Sequence, residues 1–123
     1  MEDSIQNIQK KILAFRDARN WKPFNNPKDL AISVSLEAAE LLEIFQWSGS
    51  DTSADRKIEK IREELADVLI YSLLMAADLN LDVDEIISHK LLQNEKKYPL
   101  EKAYGKSDKY TVFSEHDCEA DSQ

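Results

Sequence analysis

Two acidic pairs at one spacing, Glu37-Ala-Ala-Glu40 and Glu64-Leu-Ala-Asp67, constrain this chain more than anything else in it. Each pair lies inside a run with helical periodicity, on the face where apolar residues recur. At about 100° per residue, Glu37 falls among Leu30, Val34, Leu41 and Ile44, with Glu40 at the edge of that stripe. Glu64 falls among Ile61, Val68, Tyr71 and Met75, with Asp67 again at the edge. Glu37 and Glu40 lie too far into a helix beginning near Pro27 to be first-turn charges. Taking an unpaired carboxylate out of water costs on the order of several kcal/mol, and converging carboxylates also repel one another. A chain that places acids this way twice is expected to turn two helices face to face around hard cations.

The rest of the composition fits that expectation. Among 123 residues there are only 2 Gly and 3 Pro, so long helices are easy and tight β-turns scarce. The fold class read here is all-α, with a four-helix bundle-type subunit in one domain over residues 1–113. A ten-residue acidic tail, 114–123, is expected to be disordered. The net charge is −8, of which the tail supplies four negative charges. That sign argues against binding a nucleic-acid polymer, which needs a basic face. It leaves room for a phosphorylated small molecule, because bound cations invert the local field. The single cysteine, Cys118, precludes a disulfide framework within one chain. The acidic start, Met1-Glu2-Asp3-Ser4, is unlike a signal peptide, and no run approaches a membrane span. The expected location is the cytoplasm.

Four helices follow from periodicity and end signals. The first runs from about Ser4 to Arg19, with Ile5, Ile8, Ile12 and Phe15 at helical spacing. Asn26-Pro27-Lys28-Asp29 marks the start of the second, with Asn26 as cap and Pro27 at the first helical position. It is predicted to reach Trp47. The third is predicted from about Ala54 to Leu79. The fourth, from Val83 to about Lys97, follows Asp82 and Glu85 in the form of a capping box. Residues 101–113 are expected to be an irregular arm. Four helices of this size leave an apolar stripe that one copy does not cover, so a homo-oligomer is expected.

The acids carry most of the chemical information. No Glu-x-x-His pair accompanies them, and His89 is the one histidine of the body. All-oxygen ligation points to Mg²⁺, with Mn²⁺ as the other option, and such sites keep positions open for water and phosphate. Metal-assisted phosphoryl or nucleotidyl chemistry follows. Trp21 and Trp47 stand at element ends, where they either cap the core or form a stacking slot for a base. Tyr71 lies one turn beyond Asp67, either as core packing or facing a ligand. Lys90 and Asn94, one turn apart on the fourth helix, suit a phosphate or sugar, and Lys109 and Tyr110 in the arm are placed to close over a ligand. Each of these four also fits an ordinary solvated surface.

The stretch from Glu37-Ala-Ala-Glu40 through Phe45-Gln46-Trp47 to Glu63-Glu64-Leu65-Ala66-Asp67-Val68-Leu69-Ile70-Tyr71 resembles the MazG-like all-α nucleoside triphosphate pyrophosphatases, most closely the dCTP pyrophosphatase branch. Arg19-Asn20-Trp21, Asn26-Pro27-Lys28-Asp29-Leu30, Asn94-Glu95-Lys96-Lys97-Tyr98-Pro99 and Lys109-Tyr110-Thr111 extend the resemblance over roughly residues 5–112. It implies Mg²⁺-dependent hydrolysis of a nucleoside triphosphate between the α and β phosphates, giving monophosphate and pyrophosphate. It implies Glu37, Glu40, Glu64 and Asp67 as catalytic metal ligands, and Trp21 and Trp47 as base-pocket aromatics. Tyr71 would lie under the sugar, with Lys90 and Asn94 as further substrate contacts. A dimer or dimer of dimers is implied as well. A base-reading histidine of that branch would fall where this chain has Ile12.

The reading is thus a housecleaning enzyme acting on a dCTP-like deoxynucleoside triphosphate. Its acids would hold ions that neutralise the triphosphate and orient an attacking water. The competing reading is a metal-stabilised helical assembly module without catalysis.

Overall fold

The computed structural model describes residues 4–107 of the chain. Lys109, Tyr110, Cys118 and the acidic tail therefore lie outside the described residues. Five α-helices and one 3₁₀ turn make up the described part, and no strand occurs in it. In order they are α1 (Ser4–Ala18), the 3₁₀ turn (Lys22–Phe24), α2 (Pro27–Glu43), α3 (Ile58–Asp78), α4 (Val83–Lys97) and α5 (Leu100–Ala103). The chain divides into two compact units, residues 1–83 and 84–123.

In the first unit, α3 is the central element, with α2 and α1 packed against it. The start of α2 follows from local chemistry. The Asn26 side chain accepts the Asp29 N–H at 2.9 Å and donates to the Asp29 carboxylate at 2.6 Å. Pro27 occupies the first turn, where its missing N–H costs nothing. This fixes Leu30, one turn on, as the most deeply buried side chain, only 1 % exposed. Val34, Leu41 and Ile44 on α2 and its extension, and Ile61, Val68, Tyr71 and Met75 on α3, are half-buried, while Leu74 and Ala76 of α3 are buried with Leu30. Leu36, Leu42, Leu65 and Leu69, between those stripes, remain exposed.

Both α1 and α3 stop in the same way. Asn20 and Asn80 adopt left-handed backbone (φ 54° and 55°) just past the helix ends. The Trp21 N–H then bonds to the Arg16 carbonyl and the Asn20 N–H to the Asp17 carbonyl, with Leu81 to Ala76 and Asn80 to Ala77 as the counterpart on α3. This is the Schellman arrangement, with asparagine in the place glycine usually takes.

Two boundaries differ from the periodicity. Past Glu43, the chain continues in i→i+3 bonds (Phe45 N–H to Leu42, Gln46 N–H to Glu43), a tightened last turn rather than α-helix. The third helix begins at Ile58 rather than near Ala54, because Arg56 sits in the left-handed region (φ 67°) and interrupts the helical run. In the second unit, α4 carries Asp84 and Glu85 in its first turn and Lys96 and Lys97 in its last, as the helix dipole favours. Pro99 then caps the four-residue α5, placed where an irregular arm was expected; Leu-Glu-Lys-Ala are all good helix formers.

Candidate active site

Glu37 and Glu40 face Glu64 across the α2–α3 contact. One carboxylate oxygen from each of the three lies within 4.8 Å of the others. Glu64 is 7 % exposed, Glu37 half-buried and Glu40 exposed. Glu37 Oε2 and Glu64 Oε2 are buried and hydrogen-bond to nothing in the described structure. Such oxygens are rare in folded proteins and carry a desolvation cost. Hydrogen bonding to Glu37, then to Glu64, pushes the Glu40 carboxyl up to about 7, with charge repulsion from Glu37 adding to it. The donor set is all oxygen, anionic and partly shielded from water, and it fits a hard divalent cation.

One cation is already present. Lys60 Nζ stands 3.1 Å from Glu64 Oε1 and 3.9 Å from Glu63 Oε2, on the same face of α3. Its ammonium is held above its ordinary value by Glu64. Glu40, Glu43, Ile44, Lys60 and Glu64 line an open pocket of about 520 Å³.

Asp67, one turn further along α3, stands outside the group of three and faces another space. This is an apolar cavity of about 720 Å³ between α1 and α3. Ile12 and Trp21 line it from the α1 side, Asp67 and Tyr71 from α3. Glu64 and Asp67 thus place the acidic cluster and the cavity one helical turn apart. The Trp21 ring meets Phe15 edge to face at 5.9 Å, and the Arg19 guanidinium lies 3.6 Å over the Phe15 ring. Trp47 follows α2 in the tightened turn and is 89 % exposed, so it caps no core among the described residues. Lys90 is exposed and Asn94 half-buried on α4, in the second unit.

A family model for the MazG-like family matches residues 32–113. The chain is 32 % identical over 115 residues to human dCTP pyrophosphatase 1, covering 89 % of this chain and 68 % of that protein. The bovine enzyme of the same name is 30 % identical over 115 residues, with the same coverage. Among solved structures, a pyrophosphatase from Archaeoglobus fulgidus superposes with a TM-score of 0.74 at 37 % identity, covering 80 % of this chain and 95 % of that one. The chain belongs to the MazG-like family.

Three residues of this MazG-like chain bear on the site although sequence reasoning did not single them out. Lys60 was legible, since it precedes Glu64 by one helical turn. Arg16 follows Ile12 by four residues and so falls on the apolar stripe of α1, the same kind of signal as the acids. It is 5 % exposed and bonds to Asp78 Oδ1 at 2.6 Å. Asp78 carried no signal of its own, because only the α1–α3 packing gives it a partner.

Proposed function

We infer that the chain hydrolyses a deoxynucleoside triphosphate to monophosphate and pyrophosphate, with Mg²⁺ or Mn²⁺ at Glu37, Glu40 and Glu64 and with Asp67 as a further ligand. It is an enzyme of the nucleoside triphosphate pyrophosphatase class, as its family and relatives indicate. The observation that carries the metal reading is the convergence of three carboxylates within 4.8 Å, two of them with buried oxygens left without partners. When bound, divalent ions would neutralise the triphosphate and lower the barrier to attack by water.

The remaining roles fall to the chain itself. Glu37 and Glu64, fixed on two packed helices, supply a rigid anionic wall. Glu40, the exposed acid of the three, is suited to exchange a proton near neutral pH. The α1–α3 cavity supports a base and sugar subsite, with Trp21 offering a ring face and Tyr71 a flat floor. Ile12 has no hydrogen-bonding group, so the base is held mainly by stacking and apolar contact, and a dCTP-like pyrimidine is the favoured substrate on the strength of the relatives. Lys90, Asn94, Lys109 and Tyr110 are proposed as further substrate contacts. Exposed Leu36, Leu42, Trp47 and Leu69 support a homo-oligomer, dimer or tetramer, in which Trp47 gains a second wall. The catalytic domain is proposed to span 1–113, ahead of the acidic tail, in a cytoplasmic protein. Among the described residues no helix is long and apolar enough to cross a membrane.

A panel of deoxynucleoside and ribonucleoside triphosphates, assayed for pyrophosphate with Mg²⁺, tests this directly. Pyrophosphate and monophosphate in equal amounts, with a deoxypyrimidine preferred, is the expected result. Orthophosphate as first product, or no turnover of any triphosphate, overturns it. A second expectation concerns Lys60. Removing its charge beside Glu64 should tighten Mn²⁺ binding about fivefold, since unit charges near 4 Å interact by about 1 kcal/mol in water-like surroundings. Calorimetric titration of Lys60→Ala without nucleotide reads this, and an unchanged or weakened affinity would show that the ammonium does not compete with the ion.

A further inference from the structure

We propose that the ion pair of buried Arg16 with half-buried Asp78 is a positioning clamp that sets where the Trp21 ring stands over the α1–α3 cavity. The role rests on the reading of that cavity as the base subsite.

Arg16 lies in the last turn of α1, and both its side chain and its backbone are engaged. Its guanidinium donates from Nη1 to Asp78 Oδ1 at 2.6 Å and from Nε to Asp17 Oδ1 at 3.0 Å. Its carbonyl accepts the Trp21 N–H at 3.2 Å and the Arg19 N–H at 3.1 Å. The backbone of Trp21 therefore hangs on the residue that the ion pair holds. Asp78 is the last residue of α3. The pair thus joins the C-terminal ends of α1 and α3, and the cavity is walled by Ile12 of α1 and Trp21 just past its end on one side and by Asp67 and Tyr71 of α3 on the other. The Gln9 amide adds a tie further along, donating to the Leu73 carbonyl at 3.1 Å.

The choice of an ion pair is informative. A buried pair is seldom more stabilising than an apolar pair of equal volume, because desolvation offsets the attraction. What the planar guanidinium supplies is direction and distance. Asp78 Oδ2 is buried without a hydrogen-bond partner, so the carboxylate is oriented through its other oxygen, toward Arg16. Phe15, packed edge-on against Trp21, then fixes the ring on a backbone already placed.

Asp78→Asn keeps the shape and weakens the pull on Arg16; Arg16→Lys keeps the charge and loses the fork. The KM for the preferred triphosphate should rise about three- to tenfold in each, part of one stacking contact, with kcat within about twofold. In a Trp47→Phe background, where Trp21 is the only indole, either change should alter the emission maximum of the nucleotide-free protein. A merely structural pair would lower the melting temperature and move neither reading. The decisive arm is Trp21→Ala: with the ring gone, Asp78→Asn should add no further increase in KM. An equal increase with and without the ring, a fall in kcat instead, or unchanged KM and emission in both variants overturns the clamp. If Trp21→Ala leaves KM unchanged, the base-subsite reading fails, and the emission shift alone then decides whether the pair positions the ring.

Discussion

Glu64→Gln is expected to reduce pyrophosphate release by at least about 10²–10³-fold while raising the melting temperature of the metal-free protein. The two effects have one cause. Glu64 is the most buried member of the acidic cluster, and its Oε2 has no partner. Without a cation, its charge adds repulsion toward Glu37 and Glu40, opposed by the ion pair with the largely exposed Lys60 and by hydrogen bonding with Glu40. An amide of the same shape removes the repulsion and can donate to either neighbour. A gain of about 1 kcal/mol would move the melting temperature up by several degrees in a domain of this size. The same change removes one anionic ligand from the proposed ion site, and losing a single preorganised electrostatic contact at the reacting centre costs enzymes about 10²–10³-fold. Turnover is measured by pyrophosphate release at saturating Mg²⁺, stability by thermal melting with a chelator. Glu63→Gln, one residue away on the exposed side, serves as the control and should change neither. Retained turnover in Glu64→Gln would remove the carboxylate cluster from the mechanism. A fall of several degrees in the melting temperature would mean that the acid is held for structure.

The cost of placing acids together on an apolar face is also what made this cluster visible in the sequence. Charges on an apolar helical face are costly, and periodicity alone exposes them, so the sequence is enough to put Glu37, Glu40 and Glu64 on the inward faces of two helices. Asn26-Pro27 as a helix start was legible for the same local reason. What periodicity cannot give is the direction in which an edge residue leans. Asp67 stands at the rim of its stripe, and the α1–α3 packing turns it toward the cavity rather than toward the three glutamates. Nor does local propensity reveal that Arg56 adopts left-handed backbone and delays α3 by one turn. Asp78 had no sequence signal because its meaning comes from a residue 62 positions earlier in the chain. The helix ends at Asn20 and Asn80 lie between these cases. Asparagine is the residue other than glycine that most readily takes left-handed backbone, so these stops were readable, but their bonding pattern required the fold.

Acidifying the metal-free protein from pH 8 toward pH 5 should stabilise it at the acidic cluster, and a divalent cation should reverse the sign. Glu40 is raised from its ordinary 4.5 to about 7, chiefly through the hydrogen bond to Glu37. A carboxyl whose folded value exceeds its unfolded value binds a proton more tightly when folded. Its stabilising contribution is therefore fully present below about 4.5 and is lost as pH rises through about 7. In Glu40→Gln that dependence should vanish, so the difference between wild type and variant, followed by melting temperature against pH, isolates this group from the other acids. Cation binding draws on the same proton. An ion at the cluster requires Glu40 as the carboxylate, so below pH 7 the apparent Mn²⁺ affinity should fall by up to about tenfold per pH unit, with up to one proton released per ion bound. Calorimetric titrations in buffers of different ionisation enthalpy count that proton. Saturating metal then favours the deprotonated cluster, and the metal-loaded protein should gain stability over the interval in which the metal-free one loses it. Affinity independent of pH between 5 and 8, or release of no proton at pH 6, would mean that the ion does not engage Glu40. The raised Glu40 carboxyl would then be a feature of the metal-free fold alone.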